Sequence, residues 1–215
     1  MNVLRMPPRR KTGKTRPGSK KPTRKLPAEL LTPDEVRGML AKTGRGKTGI
    51  RNRAIVFVLW RSGVRAAELV ALRPKDLDPK AGSVRVLHGK GDRSRTIGMA
   101  PDAFAAVDAW VGVRRDLDPV LSRTAPLFCT LQGGELATSY LRKMIPRLGR
   151  RAGIEKRVHP HGLRHAFAVT LRTKKVPMDI IMRQLGHSDL GTTFRYLARI
   201  APEELLETLR DLAWE

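Results

Sequence analysis

His159-Pro160-His161-Gly162-Leu163-Arg164-His165-Ala166-Phe167 is the stretch from which the rest of the chain is best read. The spacing predicts a helix over 161–173. His161 and Arg164, three residues apart, share a face of it. One exchanges a proton near neutral pH and the other is permanently charged. His161 and His165 stand four apart, as a metal pair can, but no Glu or Asp lies between them and no thiolate is near, so the reading is against zinc or any other metal. A structural role stays open for each of the three histidines.

Working outward, Leu185-Gly186-His187-Ser188-Asp189-Leu190-Gly191-Thr192-Thr193-Phe194-Arg195-Tyr196 follows toward the C-terminus. Ser188 or Asp189 can cap a helix that carries Tyr196. A helical tyrosine is more often a core residue than a nucleophile, but the chain has only two, Tyr140 and Tyr196. Toward the N-terminus, Gly89-Lys90-Gly91-Asp92 sets a lysine at a hairpin tip, where it can swing to a phosphate or stay solvated. Ser62-Gly63-Val64-Arg65-Ala66-Ala67-Glu68-Leu69 comes earlier. Arg65 opens a helix there, and a guanidinium beside free N–H groups makes an anion site. Glu68, one turn on, can hold Arg65; a surface salt bridge is the plainer alternative.

The charge points the same way. The 215 residues hold 43 Lys/Arg against 20 Asp/Glu, a formal net charge of +23. Such a field attracts polyanions, with nucleic acid the favoured partner over anionic membrane or acidic protein. Residues 1–26 carry ten of the basic residues, no acid and four prolines. They read as a disordered basic arm, too poor in apolar surface to offset its ordering entropy. The arm's +10 taken from +23 leaves +13 on the rest. The single cysteine, Cys129, excludes a disulfide framework, and the start lacks the apolar core of a secretory signal. The longest apolar run, 54–60, is too short to span a bilayer, so the compartment expected is the cytoplasm, near the nucleoid.

Periodicity supplies the frame. Thr32 with Pro33 and Glu35 is a capping box that starts a helix, and an almost wholly apolar helix follows over 52–61 until Gly63 breaks it. A short helix is expected over 66–72. Residues 83–87 alternate, and 95–97 reads as the return strand of a hairpin. Further helices are expected over 102–115, 139–152, 161–173, 178–185, 191–198 and 203–214, with a short strand at Leu127-Phe128 and a turn at Gly133-Gly134. The fold class is therefore α+β, mainly α, with a small antiparallel sheet.

Taken together, G-x-R-x-x-E-L, the G-K-G hairpin, H-x-L-R-H, and L-G-H-S with T-T-x-x-Y resemble the catalytic domain of the tyrosine recombinase (phage integrase) family in order and type. The likeness covers the chain from about Leu31 onward, so a catalytic domain is expected over 27–215 behind the arm. It implies a site-specific DNA recombinase of integrase or invertase type, needing no cofactor. Arg65, Lys90, His161, Arg164, His187 and Tyr196 would be its catalytic residues, with Tyr196 the nucleophile and Glu68 supporting Arg65. The resemblance further implies double-stranded DNA as partner, held through Arg9, Arg10, Lys11, Lys20, Lys21, Arg24, Lys25, Arg93 and Arg95. A homo-tetramer on DNA would form through the C-terminal helix bearing Leu205, Leu206, Leu209, Leu212 and Trp214, with DNA-bending or directionality proteins as accessory partners. With only the arm before Leu31, the chain is similar to short recombinases that lack a separate core-binding domain. The alternatives are a non-catalytic DNA-binding regulator, or a strand-transfer enzyme of topoisomerase or telomere-resolvase type.

Overall fold

The computed structural model describes residues 30–87, 94–117 and 122–186. Helix α1 (Pro33–Ala41) starts as its sequence directs: Glu35 N–H donates to Thr32 Oγ1 at 3.2 Å and Thr32 N–H donates to Glu35 Oε2 at 2.7 Å. Val36, Met39 and Leu40 then face inward.

Helix α2 (Lys47–Ser62) is longer than the apolar run implies, because its first turn is polar and starts at Lys47 behind the Gly46 cap. Ala54, Ile55, Val56, Val58 and Leu59 are fully buried, as an all-round apolar helix requires. Helix α4 (Pro101–Leu117) packs on one flank of it and α6 (Pro160–Thr173) on another. Helix α2 stops at Gly63, whose φ of +70° is the left-handed conformation. A Cβ there would lie 2.7 Å from Phe167 Cδ1 and 2.8 Å from Leu185 Cδ2, so both backbone and space require glycine.

The short α3 (Ala66–Ala71) leads through a 3-10 turn at Pro74–Asp76 into the sheet. Strands β1 (Leu77–Asp78), β2 (Ser83–Leu87) and β3 (Ser94–Gly98) are antiparallel in that order, with Val84 opposite Ile97 and Val86 opposite Arg95. Val84, Val86 and Ile97 face the core. Strand β1 was not anticipated, since two residues offer no alternation to read.

One expected strand is absent. Leu127-Phe128 is irregular, although both residues are fully buried, and the pairing nearby among the described residues is an isolated bridge from Cys129 to Glu135. Side chains and loop backbone replace a ladder partner. Leu127 N–H donates to Leu72 O at 2.8 Å, Trp110 Nε1 donates to Leu127 O at 2.8 Å, Arg51 Nη1 to Cys129 O at 2.8 Å, and Arg114 to Pro126 O. The Gly133-Gly134 turn is present, with Thr130 N–H closing on Gly134 O at 2.8 Å.

Helices α5 (Thr138–Arg151), α6 and α7 (Met178–Leu185) match their sequence expectations to within a residue. One apolar cluster joins α1 to α6 and the inner sheet face, and a smaller one of Ala168, Ile181 and Leu185 holds α7 on α6. Among the described residues no helix is long and apolar enough to cross a membrane. The arm and the expected helices at 191–198 and 203–214 lie outside the described residues.

Candidate active site

The site grows from the break between α2 and α3. Arg65 is the N-cap of α3, and Glu68, three residues on, reaches back to it twice: Arg65 N–H donates to Oε2 and Arg65 Nη1 to Oε1, both at 2.8 Å. This is no surface pair, because the Glu68 side chain is only 8% exposed. Arg95 on β3 completes the arrangement, donating from Nη1 to Oε1 and from Nη2 to Oε2 at 2.9 Å each. Each carboxylate oxygen thus accepts two charge-assisted or backbone bonds. Burial alone would raise the Glu68 pKa; the hydrogen bonds from Arg95 and from Arg65 outweigh it and bring it down to about 2.

Arg164, on the second turn of α6, is 1% exposed. Its guanidinium donates to the carbonyls of Gly63, after α2, and Leu185, at the end of α7. Arg65 Nη2 donates to the next carbonyl, Gly186 O, at 3.0 Å. Burial, and then the nearby Arg65, lower the Arg164 pKa, though it stays a cation at neutral pH. Gly186, at φ +62°, closes α7, and a Cβ on it would come within 2.7 Å of the Arg95 guanidinium.

His161 precedes Arg164 by one turn. Its ring stands edge-on to that of His165, with centroids 4.0 Å apart, and opens to solvent on its other side. Desolvation by the protein around it, then the charges of Arg164, His159 and Arg65, lower its pKa, so the neutral, proton-accepting ring is favoured. His159 caps α6, its Nδ1 accepting Gly162 N–H at 3.1 Å. His165 is buried. Among the described residues no cluster of His, Cys, Asp or Glu could hold a metal ion.

Arg65, His161 and Arg164 therefore line one groove of about 480 Å³, together with Arg142, Arg157 and His159. Among the described residues no carboxylate lines it. A second groove shares Arg142, Arg157 and His159 and adds Arg150, Lys156 and one acid, Glu155. Such a predominantly basic surface suits an extended polyanion, with the His161 imidazole beside the guanidiniums of Arg65 and Arg164. Arg142 and Arg157 belong to none of the motifs above; Arg157 stands two residues from His159, while nothing in the sequence around Arg142 points to the site. Tyr140 is not part of the groove: its hydroxyl accepts from Arg51 Nη2 at 2.6 Å and donates to Asn52 Oδ1 at 2.9 Å. Arg95, expected among the DNA contacts, has its guanidinium on Glu68. Lys90, Arg93, His187, Tyr196 and the arm residues from Arg9 to Lys25 lie outside the described residues.

Comparison with known proteins decides the family. The model of the phage integrase family matches residues 29–202, most of the chain. The chain belongs to the phage integrase family. Like it in sequence is the tyrosine recombinase XerC of Xanthomonas axonopodis pv. citri, 36% identical over 187 residues, which are 84% of this chain and 59% of that protein. The crystal structure of XerA recombinase superposes with a TM-score of 0.70 at 33% identity, covering 78% of this chain and 59% of that one. The XerH site-specific recombinase, bound to palindromic difH substrate in a post-cleavage complex, gives 0.71 at 28% identity, covering 87% and 54%. This phage integrase family member thus spans between half and two thirds of the length of each. Its mostly helical fold with a three-stranded antiparallel sheet is that of the tyrosine recombinase catalytic domain.

Proposed function

We propose that this chain is a site-specific recombinase that cleaves and rejoins double-stranded DNA through a covalent link to Tyr196. The observation that carries the reading is the groove in which Arg65, His161 and Arg164 meet, with no carboxylate among the described residues that line it, while Glu68 is held by Arg65 and Arg95 behind it. The capture of XerH on its DNA substrate supports DNA as the partner.

In the step proposed, the Tyr196 hydroxyl attacks the scissile phosphorus and its proton passes to His161. Arg65 and Arg164 offset the charge that builds on the non-bridging oxygens, and His187 adds a hydrogen bond. The bond to the 5′ oxygen breaks and Lys90 protonates that oxygen. The 3′-phosphotyrosyl bond conserves the energy of the phosphodiester, so a 5′-hydroxyl from another strand can reverse the step without ATP. The basic arm at 1–26 precedes the catalytic domain at 27–215 and adds phosphate contacts through residues such as Arg9, Lys20 and Arg24. Assembly is as a tetramer on DNA through the C-terminal helix, in the cytoplasm, with DNA-bending or directionality proteins as accessory partners.

The test is covalent trapping. Parent protein and Tyr196→Phe are incubated with nicked duplexes from the flanks of the gene and run on a denaturing gel. An adduct with the parent alone is expected. An adduct retained by Tyr196→Phe would remove that residue from the reaction; specific binding without any adduct would leave a regulator.

A further inference from the structure

We propose that Gln184 is a positioning residue for Arg164, holding apart at a fixed spacing the two carbonyls between which that guanidinium is clamped. The inference rests on the reading above that Arg164 faces the scissile phosphate.

The geometry begins at the edge of the sheet. Met99 N–H returns to Gly82 O at 3.0 Å, so the ladder's alternation turns the polar groups of Gly98 outward, away from β2. Such groups on an edge strand need a partner. Gln184, in the last turn of α7, supplies it with one carboxamide: Oε1 accepts Gly98 N–H at 2.9 Å and Nε2 donates to Gly98 O at 2.7 Å. The same Nε2 donates to Ser62 O at 2.9 Å, one of the carbonyls left open where α2 ends. Both amide donors and the acceptor are engaged, so one side chain joins the end of α7 to the end of α2 and the end of β3.

Both anchor points adjoin the Arg164 clamp. Ser62 is followed by Gly63, whose carbonyl accepts one arm of the Arg164 fork. Gln184 is followed by Leu185, whose carbonyl accepts the other. The next residue, Gly186, accepts from Arg65. The contacts from α7 to Arg164 and Arg65 come from the guanidiniums proposed to meet phosphate; the contact from Gln184 does not. Its own bonds are partly open to water, so their loss leaves the unpaired groups solvated instead of stranded. Only a primary amide fits: glutamate in its place would set a carboxylate against two carbonyl oxygens.

The experiment compares two substrates, since a neutral one makes less demand on the guanidiniums. A nicked duplex carrying the site mapped by covalent trapping is made with either a phosphodiester or a methylphosphonate at the scissile position. Parent, Gln184→Ala and the isosteric Gln184→Glu are followed by single-turnover cleavage, DNA binding and thermal melting. Both variants are expected to cleave the phosphodiester about 10- to 100-fold more slowly, to fall short of the parent by less than about threefold on the methylphosphonate, and to bind DNA within about threefold of it. Melting is expected to move by only a few degrees. Equal losses on the two substrates, no loss on the phosphodiester, or a collapse in melting temperature by both variants would overturn the positioning role alone. Failure of the parent protein to form any adduct would instead overturn the proposed function, and this inference with it.

Discussion

Both terminal nitrogens of Arg95 lie 2.9 Å from the two carboxylate oxygens of Glu68, a two-point grip from β3 onto α3. Arg65 holds the same carboxylate from the other side, at 2.8 Å. A buried acid with two arginines around it is a fixed base plate for the groove. Removing it takes from both cations the carboxylate they share, and losing one partner of a buried pair costs several kcal/mol. Glu68→Ala is expected to lose about 3 kcal/mol of stability, with the denaturant midpoint as the measure. Cleavage should fall too, because Arg65 loses its orientation.

The same pair sets a pH dependence. The folded pKa of Glu68, about 2, is below its ordinary value of 4.5. The charged form is therefore the one that folding favours: its contribution is complete above pH 4.5 and is lost as pH falls toward about 2. Stability measured across that window should decline less steeply in Glu68→Gln than in the parent. Parallel declines would sink the assignment.

Arg164 reaches two carbonyls from the ends of different helices, which a lysine cannot match with one nitrogen. Arg164→Lys is expected to keep the charge yet slow single-turnover cleavage by about 100-fold or more, while binding DNA nearly as well.

His161 is neutral at lower pH than an ordinary histidine, because partial desolvation by its surroundings and then Arg164 disfavour its charged form. In its proposed role as general base, His161 then stays available in mild acid. The acidic limb of the cleavage rate is expected below pH 6.5, and to vanish from the profile of the slow His161→Asn variant. An unchanged limb in that variant would assign the titration elsewhere.

The two tyrosines should separate cleanly. Tyr140→Phe removes the bonds to Arg51 and Asn52, and is expected to cost about 1–2 kcal/mol while still forming a covalent adduct. Tyr196→Phe should form none.

Much of this was legible in the sequence where the cause is local. The Thr32–Glu35 box, the break at Gly63 and the i,i+3 pairing of Arg65 with Glu68 depend on neighbours along the chain, and each is as expected. What could not be read depends on distant partners. Arg95 shares the inner face of β3 with Ile97, and the carboxylate that meets its guanidinium there, Glu68, stands 27 residues earlier, where no local pattern points to it. Arg51 meets Tyr140 across 89 positions, and Gln184 meets Ser62 across 122. Leu127-Phe128 has the composition of a strand, but its backbone bonds go to other groups than a neighbouring strand, an outcome composition cannot distinguish.

That last stretch has a consequence for how the protein meets a protease. Irregular chain is where cleavage ordinarily starts, since an enzyme must draw several residues out into an extended form. Here Arg114, Trp110 and Arg51 bond the carbonyls of Pro126, Leu127 and Cys129, and Leu127, Phe128 and Cys129 have almost no surface to offer. Digestion should pass over this segment and reach it only after the helices that hold it have come apart, and the Leu127 amide, bonded to Leu72 O, should exchange slowly with solvent.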